Sequence, residues 1–366
     1  MRWKEQLLTL TPYQPGKTIG EVKRQYGLKD ITKLASNENP FGCSKVVLEV
    51  LQKAAHFEKY PDGYATEFRF QLAKFLKVQP DQLIFGNGSD EIIQIISRAL
   101  LDERYNTVMA TPTFSQYKHN AIIDGAKSIR EIPLIDGEHD LTAMLNAIDD
   151  KTNVVWLCSP NNPTGAYIPE DKLINFLNMV PKSTLVVLDE AYYEYVVAED
   201  YYNSIELLKD YQNLIVLRTF SKIYGLASFR VGYGVSHPDV IRALEPARGP
   251  FNTNTLGQLV AANAIKDQAF VNSCRKANRE GLQQYYDFCE ENGLNYFPSQ
   301  ANFILIDFDR EGNEVFQYLI ERGYIVRSGN ALGFPTSVRI TVGSKEQNEG
   351  LIQLLKEYVS QIKAHS

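Results

Sequence analysis

Six short apolar runs, separated by stretches with helical spacing, constrain the fold of this chain more than any other feature. The runs are almost continuously apolar and rich in Val, Ile and Leu; they cover 82–85, 107–110, 153–158, 185–188, 214–217 and 231–235. Strands buried on both faces of a mostly parallel sheet have this character, because helices cover both faces of such sheets. Between two of the runs, one helical stripe contains Ile92, Ile95, Ile96, Ala99 and Leu100. The pattern predicts an α/β fold.

The pattern changes after about residue 260, which indicates a second, smaller unit. A long polar stretch with helical spacing covers 268–292, and short strands are expected around 302–308 and 338–342. A chain of 366 residues has room for two domains at roughly 150 residues each. Pro12, Pro15 and Gly16 near the start favour an arm that lies over another part of the molecule. We therefore predict three parts: an arm (1–30), a large domain (31–260) and a small α+β domain (261–366).

Composition excludes several classes of function. The chain has 38 Lys+Arg against 44 Asp+Glu and a net charge of −6, and without basic clusters nucleic acid is not expected as a partner. The four cysteines and five histidines lack the spacing of metal ligands. The longest apolar run, 154–158, is far shorter than the ~18 residues of a membrane-spanning helix, and the first residues do not resemble a secretory signal. We expect a cytoplasmic protein without a metal site.

Polar residues follow the apolar runs at the points where ligands bind in open parallel sheets, the carboxyl ends of the strands. Gly-Asn-Gly-Ser-Asp-Glu follows the first run at 86–91, and Ser-Pro-Asn-Asn-Pro-Thr-Gly follows the third at 159–165. Asp189 ends the fourth run, and Arg-Thr-Phe-Ser-Lys follows the fifth at 218–222. These segments predict one ligand site at this edge of the sheet.

The glycine turn after the first run is suited to a phosphate. Gly86 and Gly88 let backbone amides approach a ligand closely, and the N-terminus of the next helix favours an anion. Glu91 stands where a dinucleotide-binding turn needs its third glycine, which disfavours a dinucleotide-dependent oxidoreductase. A hydroxyl and two cationic side chains near another strand end would complete a phosphate site: Ser221, Lys222 and Arg230.

Asp189 and Lys222 are the candidate catalytic pair. A carboxylate at the end of a buried strand needs a cationic partner or a metal, although a helix cap or a salt bridge would also account for Asp189. Lys222 is either a solvated surface lysine or a lysine whose pKa is lowered by burial, as Schiff-base chemistry requires. Pyridoxal phosphate needs a lysine, an acid opposite its ring nitrogen, an anion site and an aromatic residue against its ring. The chain offers a candidate for each.

Three of these segments resemble the fold-type-I pyridoxal-phosphate-dependent aminotransferases: 159–165, Leu-Asp-Glu-Ala-Tyr at 188–192, and Ser-Lys-x-Tyr-Gly-Leu-Ala-x-x-Arg at 221–230. Three others are similar, more narrowly, to the histidinol-phosphate aminotransferases: Leu-Ala-Ser-Asn-Glu-Asn-Pro-Phe-Gly at 34–42, Tyr-Pro-Asp-Gly at 60–63, and Arg-Ile-Thr-Val-Gly at 339–343. The likeness covers almost the whole chain. It implies a mostly parallel seven-stranded sheet between layers of helices, with a smaller α+β domain.

The resemblance also implies roles around the cofactor ring. Lys222 would bind the aldehyde covalently and act as the acid–base group, and Asp189 would pair with the ring nitrogen. Asn162 and Tyr192 would hydrogen-bond the ring's 3-oxygen, and Phe114 would stack on the ring in place of a more usual Tyr.

The same resemblance implies a phosphate site shared between two subunits. The residues around the cofactor phosphate would be Ser89, Asp90, Ser221 and Arg230. Tyr60 resembles a tyrosine that reaches this phosphate from the neighbouring subunit, so a homodimer is implied.

On the substrate side, the resemblance implies that Arg339 binds a substrate carboxylate and, together with Arg327 and Tyr13, receives the phosphate of histidinol phosphate. One arginine fork suits either anion, although Arg327 would also suit a helix brace. The expected reaction is ping-pong transamination between L-histidinol phosphate and 2-oxoglutarate, giving imidazole-acetol phosphate and L-glutamate in histidine biosynthesis. An aromatic amino-acid aminotransferase and a threonine-phosphate decarboxylase remain alternatives. A non-catalytic regulator that binds pyridoxal phosphate would need a DNA-binding segment, and the sequence shows none.

Overall fold

The computed structural model describes residues 1–8, 10–12, 16–55 and 57–365, the last without its side chain. The strands are β1 (Thr32–Lys33), β2 (Leu83–Gly86), β3 (Asn106–Thr111), β4 (Ser128–Pro133), β5 (Thr152–Cys158), β6 (Leu185–Asp189), β7 (Leu214–Thr219), β8 (Gly232–Ser236), β9 (Asn295–Tyr296), β10 (Phe303–Asp307), β11 (Tyr324–Ile325), β12 (Arg327–Ser328) and β13 (Ser337–Thr341). The helices are α1 (Glu5–Leu8), α2 (Ile19–Tyr26), α3 (Lys45–Leu51), α4 (Thr66–Leu76), α5 (Ser89–Leu100), α6 (Gln116–Asp124), α7 (Leu141–Asn146), α8 (Glu170–Met179), α9 (Pro238–Leu244), α10 (Thr255–Ala264), α11 (Gln268–Asn292), α12 (Gly312–Ile320) and α13 (Lys345–His365).

The central sheet has seven strands in the order β2-β8-β7-β6-β5-β3-β4. Strands β3 to β7 run parallel, whereas β8 is antiparallel to both β2 and β7. The expectation of a mostly parallel sheet is confirmed, and each of the six apolar runs coincides with one of its strands. The seventh strand, β4, is not among those runs because it lies at the sheet edge and is only partly buried.

Helices cover both faces of this sheet because successive strand residues point to opposite sides. Val154, Val187 and Ile215 pack on one side together with the apolar stripe of α5, as predicted. Their sequence neighbours Val155, Val186 and Val216 belong to the core on the other side. Both faces therefore exclude water, and the polar residues that follow the strands collect at the sheet's carboxyl edge.

A second sheet, in the order β12-β13-β10-β9, is entirely antiparallel. Helices α11 and α13 pack against it around a separate core that includes Leu282, Ile304 and Ile340. Helix α11 begins and ends at the residues bounding the predicted polar stretch. The domain boundaries at 30 and 260 stay a prediction; β1, in the predicted large domain, pairs in parallel with β11, in the predicted small domain.

Among the described residues, no helix is both long enough and apolar enough to cross a membrane. The same residues include no cluster of three or more His, Cys, Asp or Glu side chains arranged to hold a metal ion.

Candidate active site

The loops that follow β2, β5, β6 and β7 converge at the carboxyl edge of the central sheet. Cys158 at the end of β5 is in register with Asp189 at the end of β6. Lys222 follows β7 and lies within electrostatic range of Asp90 and Arg339. Side chains from distant parts of the sequence therefore share one cleft.

The N-terminus of α5 forms an anion site with Arg230. Gly88 precedes this helix at φ 73°, and no side chain caps the first turn. The Arg230 guanidinium donates to the Ser221 hydroxyl at 3.3 Å and to the Asn87 carbonyl at 3.2 Å, and it lies 3.5 Å from the Asp90 carboxylate. Because free helical amides and a guanidinium face the same point, this corner suits a phosphate.

Glycine is required in this corner for steric reasons. A Cβ atom on Gly88 would lie 2.8 Å from Nη2 of Arg230. A Cβ atom on Gly232 would lie 2.4 Å from backbone atoms of Gly88 and Ser89. The close approach of β8 to the start of α5 therefore shapes the anion site.

Asp189 is a buried carboxylate, 2% exposed, at the end of β6. Its oxygens accept hydrogen bonds from the Tyr117 hydroxyl at 2.7 Å and from the Ala191 amide at 3.2 Å. Burial raises the pKa of Asp189 to about 7, against the lowering effect of the Tyr117 hydrogen bond. Within the described ranges, no lysine or arginine lies at ion-pair distance from it. A cationic ring next to this carboxylate would relieve the cost of its buried charge.

Lys222 has the electrostatic character of a nucleophilic amine. Desolvation, together with the positive charge of Arg339, lowers the pKa of Lys222 to about 8. Its Nζ lies 5.7 Å from the centre of the Tyr192 ring. Tyr192 is itself buried, burial raises the pKa of its phenol, and Asn37 donates a hydrogen bond to its oxygen. With this pKa, roughly a tenth of Lys222 is uncharged at pH 7, far more than for an ordinary lysine, which suits an amine that bonds an aldehyde.

Two arginines are paired on neighbouring strands of the second sheet. In the pairing of β12 with β13, Arg327 is in register with Arg339. Arg339 is 6% exposed and donates to Oδ1 of Asn162 at 2.6 Å and to the Ala35 carbonyl at 2.8 Å. Like charges directly opposite each other destabilise a sheet, so an anion bound between them would be stabilising. Tyr13, the third predicted substrate residue, lies outside the described residues.

Phe114 and Tyr60, two of the predicted site residues, occupy different environments. Phe114 is partly buried and packs edge-to-face on Tyr117, the hydrogen-bond partner of Asp189, with the ring centres 5.6 Å apart. Tyr60 is 83% exposed and stacks on Phe251 at 5.0 Å. Phe114 therefore borders the cleft floor, whereas Tyr60 projects from the surface of the single chain.

Sequence reasoning missed two residues that contact the predicted site residues. Tyr117 gives no sequence signal beyond its place one helical turn after Phe114, yet it holds Asp189. Asn37 lies inside the motif at 34–42, for which the sequence predicted no contact, and it donates a hydrogen bond to the Tyr192 hydroxyl. That motif was the usable signal; the positive backbone φ of Asn37, 57°, is seen only in the structure and is one that Asn adopts more readily than most residues.

Comparison with known proteins shows to which family this chain belongs. The family model for aminotransferase class I and II matches residues 29–355. The chain belongs to the class I and II aminotransferases. This aminotransferase is 63% identical over 362 residues to the histidinol-phosphate aminotransferase of Geobacillus sp. (strain WCH70), covering 98% of this chain and 99% of that protein. It is 60% identical to the enzyme of the same name from Bacillus subtilis (strain 168), covering 98% of this chain and 99% of that one.

The fold of this aminotransferase also matches a solved structure. The histidinol-phosphate aminotransferase of Sinorhizobium meliloti, in complex with pyridoxal-5'-phosphate, has a TM-score of 0.90 and 27% sequence identity. The match covers 99% of this chain and 98% of that one. The α/β architecture expected from the sequence is thus that of a known aminotransferase.

Proposed function

We propose that this aminotransferase uses pyridoxal phosphate to transfer an amino group between L-histidinol phosphate and 2-oxoglutarate, in histidine biosynthesis. The structural observation that carries the proposal is the pairing of Arg327 with Arg339, which supplies an anion site for the substrate in addition to the one at the start of α5. A phosphorylated substrate and a phosphorylated cofactor require two anion sites. The relatives at about 60% identity carry the name of this activity.

The residues of the cleft fit pyridoxal phosphate. Asp189 is a buried carboxylate without a cationic partner among the described residues, which suits the ring nitrogen. The uncapped start of α5, with Ser89, Asp90, Ser221 and Arg230, suits the phosphate. Lys222 suits the aldehyde, and Phe114 suits a ring face. When bound, the cofactor withdraws electrons from the substrate's α-carbon.

Lys222 is the acid–base group in this mechanism. Because its pKa is lowered to about 8, its amine can accept a proton from the substrate's α-carbon near neutral pH and later return one. Asp189 would face the ring nitrogen of the bound cofactor, where its negative charge would stabilise positive charge. Asn162 and Tyr192 would orient the ring by hydrogen bonds to its 3-oxygen.

Arg339 and Arg327 bind the anionic end of each substrate. A guanidinium fork accepts either a carboxylate or a phosphate, so the same pair serves 2-oxoglutarate in one half-reaction and histidinol phosphate in the other. The bond from Arg339 to Oδ1 of Asn162 leaves the Asn162 amide N–H groups to face the cofactor. Substrate binding and ring orientation are thereby linked.

We also propose a homodimer in which Tyr60 reaches the partner's cofactor phosphate. Tyr60 and Phe251 are stacked and exposed, and large exposed aromatic residues continue along the same segment at Phe57, Tyr64 and Phe70. Hybrids of Lys222→Ala and Tyr60→Ala chains are expected to contain one restored site. Verified hybrids without recovered activity would contradict the shared site.

The substrate assignment is tested by a coupled assay with L-histidinol phosphate and 2-oxoglutarate, beside tyrosine and phenylalanine as amino donors. We expect the highest kcat/KM for histidinol phosphate. A higher value for the aromatic amino acids would identify an aromatic amino-acid aminotransferase instead. Carbon dioxide release from threonine phosphate, without keto-acid formation, would identify a decarboxylase.

A further inference from the structure

Asn37 holds the hydroxyl of Tyr192 in one hydrogen-bonding role. Asn37 lies between β1 and α3, and both it and Tyr192 are buried. Its Nδ2 lies 2.9 Å from the Tyr192 hydroxyl oxygen. An amide nitrogen can only donate, so the phenolic oxygen accepts at this contact.

The amide orientation of Asn37 is set by Thr341 at the end of β13. The Thr341 hydroxyl oxygen accepts the Asn37 backbone N–H at 2.9 Å and donates its proton to Oδ1 of Asn37 at 3.1 Å. Asn302 fixes the same residue by donating to its carbonyl oxygen at 3.0 Å. With Oδ1 engaged by a donor, the hydrogen-bond network directs Nδ2 to Tyr192.

The role of Asn37 determines where the phenolic proton of Tyr192 is available. A phenol has one proton to donate, and none of the hydrogen bonds among the described residues uses it. We propose that Asn37 is a positioning residue that directs the Tyr192 proton to the ring oxygen of bound pyridoxal phosphate. This inference rests on the proposed function and concerns a residue that acts through Tyr192.

The proposal predicts a change in a spectroscopic pKa. A proton donated to the ring oxygen withdraws negative charge from it, which weakens proton binding at the neighbouring nitrogen that joins Lys222 to the cofactor. A variant in which the Tyr192 hydroxyl no longer donates to the ring oxygen therefore has a higher pH midpoint for the change in cofactor absorbance. The other charged or titratable groups that act on Tyr192 are unchanged in the variants: Arg339 from β13, Cys158 from β5, Asp189 from β6 and Lys222 after β7.

The backbone at residue 37 permits two informative variants. At φ 57°, Asn, Asp and Gly are the residues tolerated best. Asn37→Asp keeps the shape of the side chain but replaces the donating Nδ2 by a carboxylate oxygen. That oxygen accepts a hydrogen bond from the Tyr192 hydroxyl, so the hydroxyl no longer donates to the cofactor. Asn37→Gly removes the side chain. Asn348→Asp is the control, since Asn348 is also buried and bonds a tyrosine hydroxyl within the second core, although there Oδ1 of Asn348 accepts the Tyr285 proton at 3.0 Å.

The experiment is a pH titration of the absorbance of each protein loaded with pyridoxal phosphate. We expect a midpoint raised by roughly one pH unit in Asn37→Asp, the scale of one hydrogen bond to a charged group. A smaller rise is expected in Asn37→Gly and none in Asn348→Asp. In a Tyr192→Phe background, Asn37→Gly is expected to add no shift, whereas a purely structural role would give the same effect in both backgrounds.

Two results would overturn the proposal: a wild-type midpoint in Asn37→Asp, or a shift from Asn37→Gly that persists in the Tyr192→Phe background. If Asn37→Gly does not fold, Asn37→Asp in the wild-type and Tyr192→Phe backgrounds decides the matter, since a shift that persists without the Tyr192 hydroxyl would come from the added charge alone. A wild-type protein that takes up no pyridoxal phosphate contradicts the proposed function itself, and that result is read from the wild-type sample alone.

Discussion

Arg339 donates a hydrogen bond from Nη1 to Oδ1 of Asn162 over 2.6 Å. The bond joins the second sheet, at β13, to the loop after β5 of the central sheet. It connects the candidate substrate arginine with a candidate cofactor contact. A change at Arg339 is therefore expected to affect both substrate binding and the cofactor's environment.

Arg339→Lys tests the substrate site. Lysine keeps the charge but cannot make two parallel bonds to an anion, so KM is expected to rise about 10- to 100-fold for both 2-oxoglutarate and histidinol phosphate, or ~1.4–2.8 kcal/mol. Steady-state kinetics measure this. The control is Arg242→Lys, at an exposed arginine that bonds Asp239 on α9. Unchanged KM values for both substrates would exclude Arg339 from the site.

Asp189→Asn tests the buried carboxylate in the cofactor-free protein. Burial raises the pKa of Asp189 from 3.8 to about 7, so the folded state binds more protons than the unfolded state between these values. The carboxylate therefore lowers stability progressively as pH rises from about 4 to about 7, and fully above 7. Asn removes this cost.

Asp189→Asn is accordingly expected to raise the Tm of cofactor-free protein by about 2 °C or more at pH 8, and by much less at pH 5. Thermal unfolding at both pH values measures the difference, with exposed Asp239→Asn as the control. The same variant should bind pyridoxal phosphate more weakly. A gain in Tm that does not depend on pH would contradict the assigned cause.

Labelling of cofactor-free protein with an amine-acylating reagent tests the lowered pKa of Lys222. Only the uncharged amine reacts, so labelling of the Lys222 peptide should reach half its maximum near pH 8, against about 10.4 for an ordinary lysine. Quantitative mass spectrometry of the digest measures the profile. Because the charge of Arg339 contributes to the lowering, Arg339→Gln should move the midpoint upward. A Lys222 profile like that of surface lysines would refute the assignment.

Arg230→Ala tests the phosphate site at the start of α5. Loss of a charge-assisted bond of ~1.5–3 kcal/mol is expected to weaken pyridoxal phosphate binding by about 10- to 100-fold. Pyridoxal, which lacks the phosphate, should bind with nearly unchanged affinity. Equilibrium titration with both compounds separates the two cases; equal losses for both would indicate a general disturbance of the cleft.

The sequence predicted the fold more completely than the contacts of the site. The buried strands and α11 were visible because a continuous apolar run and a helical spacing are both local patterns in the sequence. Strand β4 was not, since its mixed polar and apolar sequence and partial burial are typical of many surface segments. The cytoplasmic location and the domain boundaries stay predictions.

Contacts between segments that are distant in the sequence limited how much of the site could be predicted. The candidate residues were found because each follows a buried strand or lies in a motif. Tyr117 and Asn37 contact Asp189 and Tyr192 across 72 and 155 residues, and no local pattern specifies such pairs. They follow from the order of the strands in the central sheet and from tertiary packing between segments that are far apart in the sequence.

Reductive trapping tests the central claim most directly. The protein is saturated with pyridoxal phosphate, reduced with borohydride, digested and analysed by mass spectrometry, with Lys222→Ala treated in parallel. The account predicts one modified peptide, carrying the reduced cofactor on Lys222, and none in the variant. A cofactor found on another lysine, or no stable modification of the wild-type protein, would contradict it.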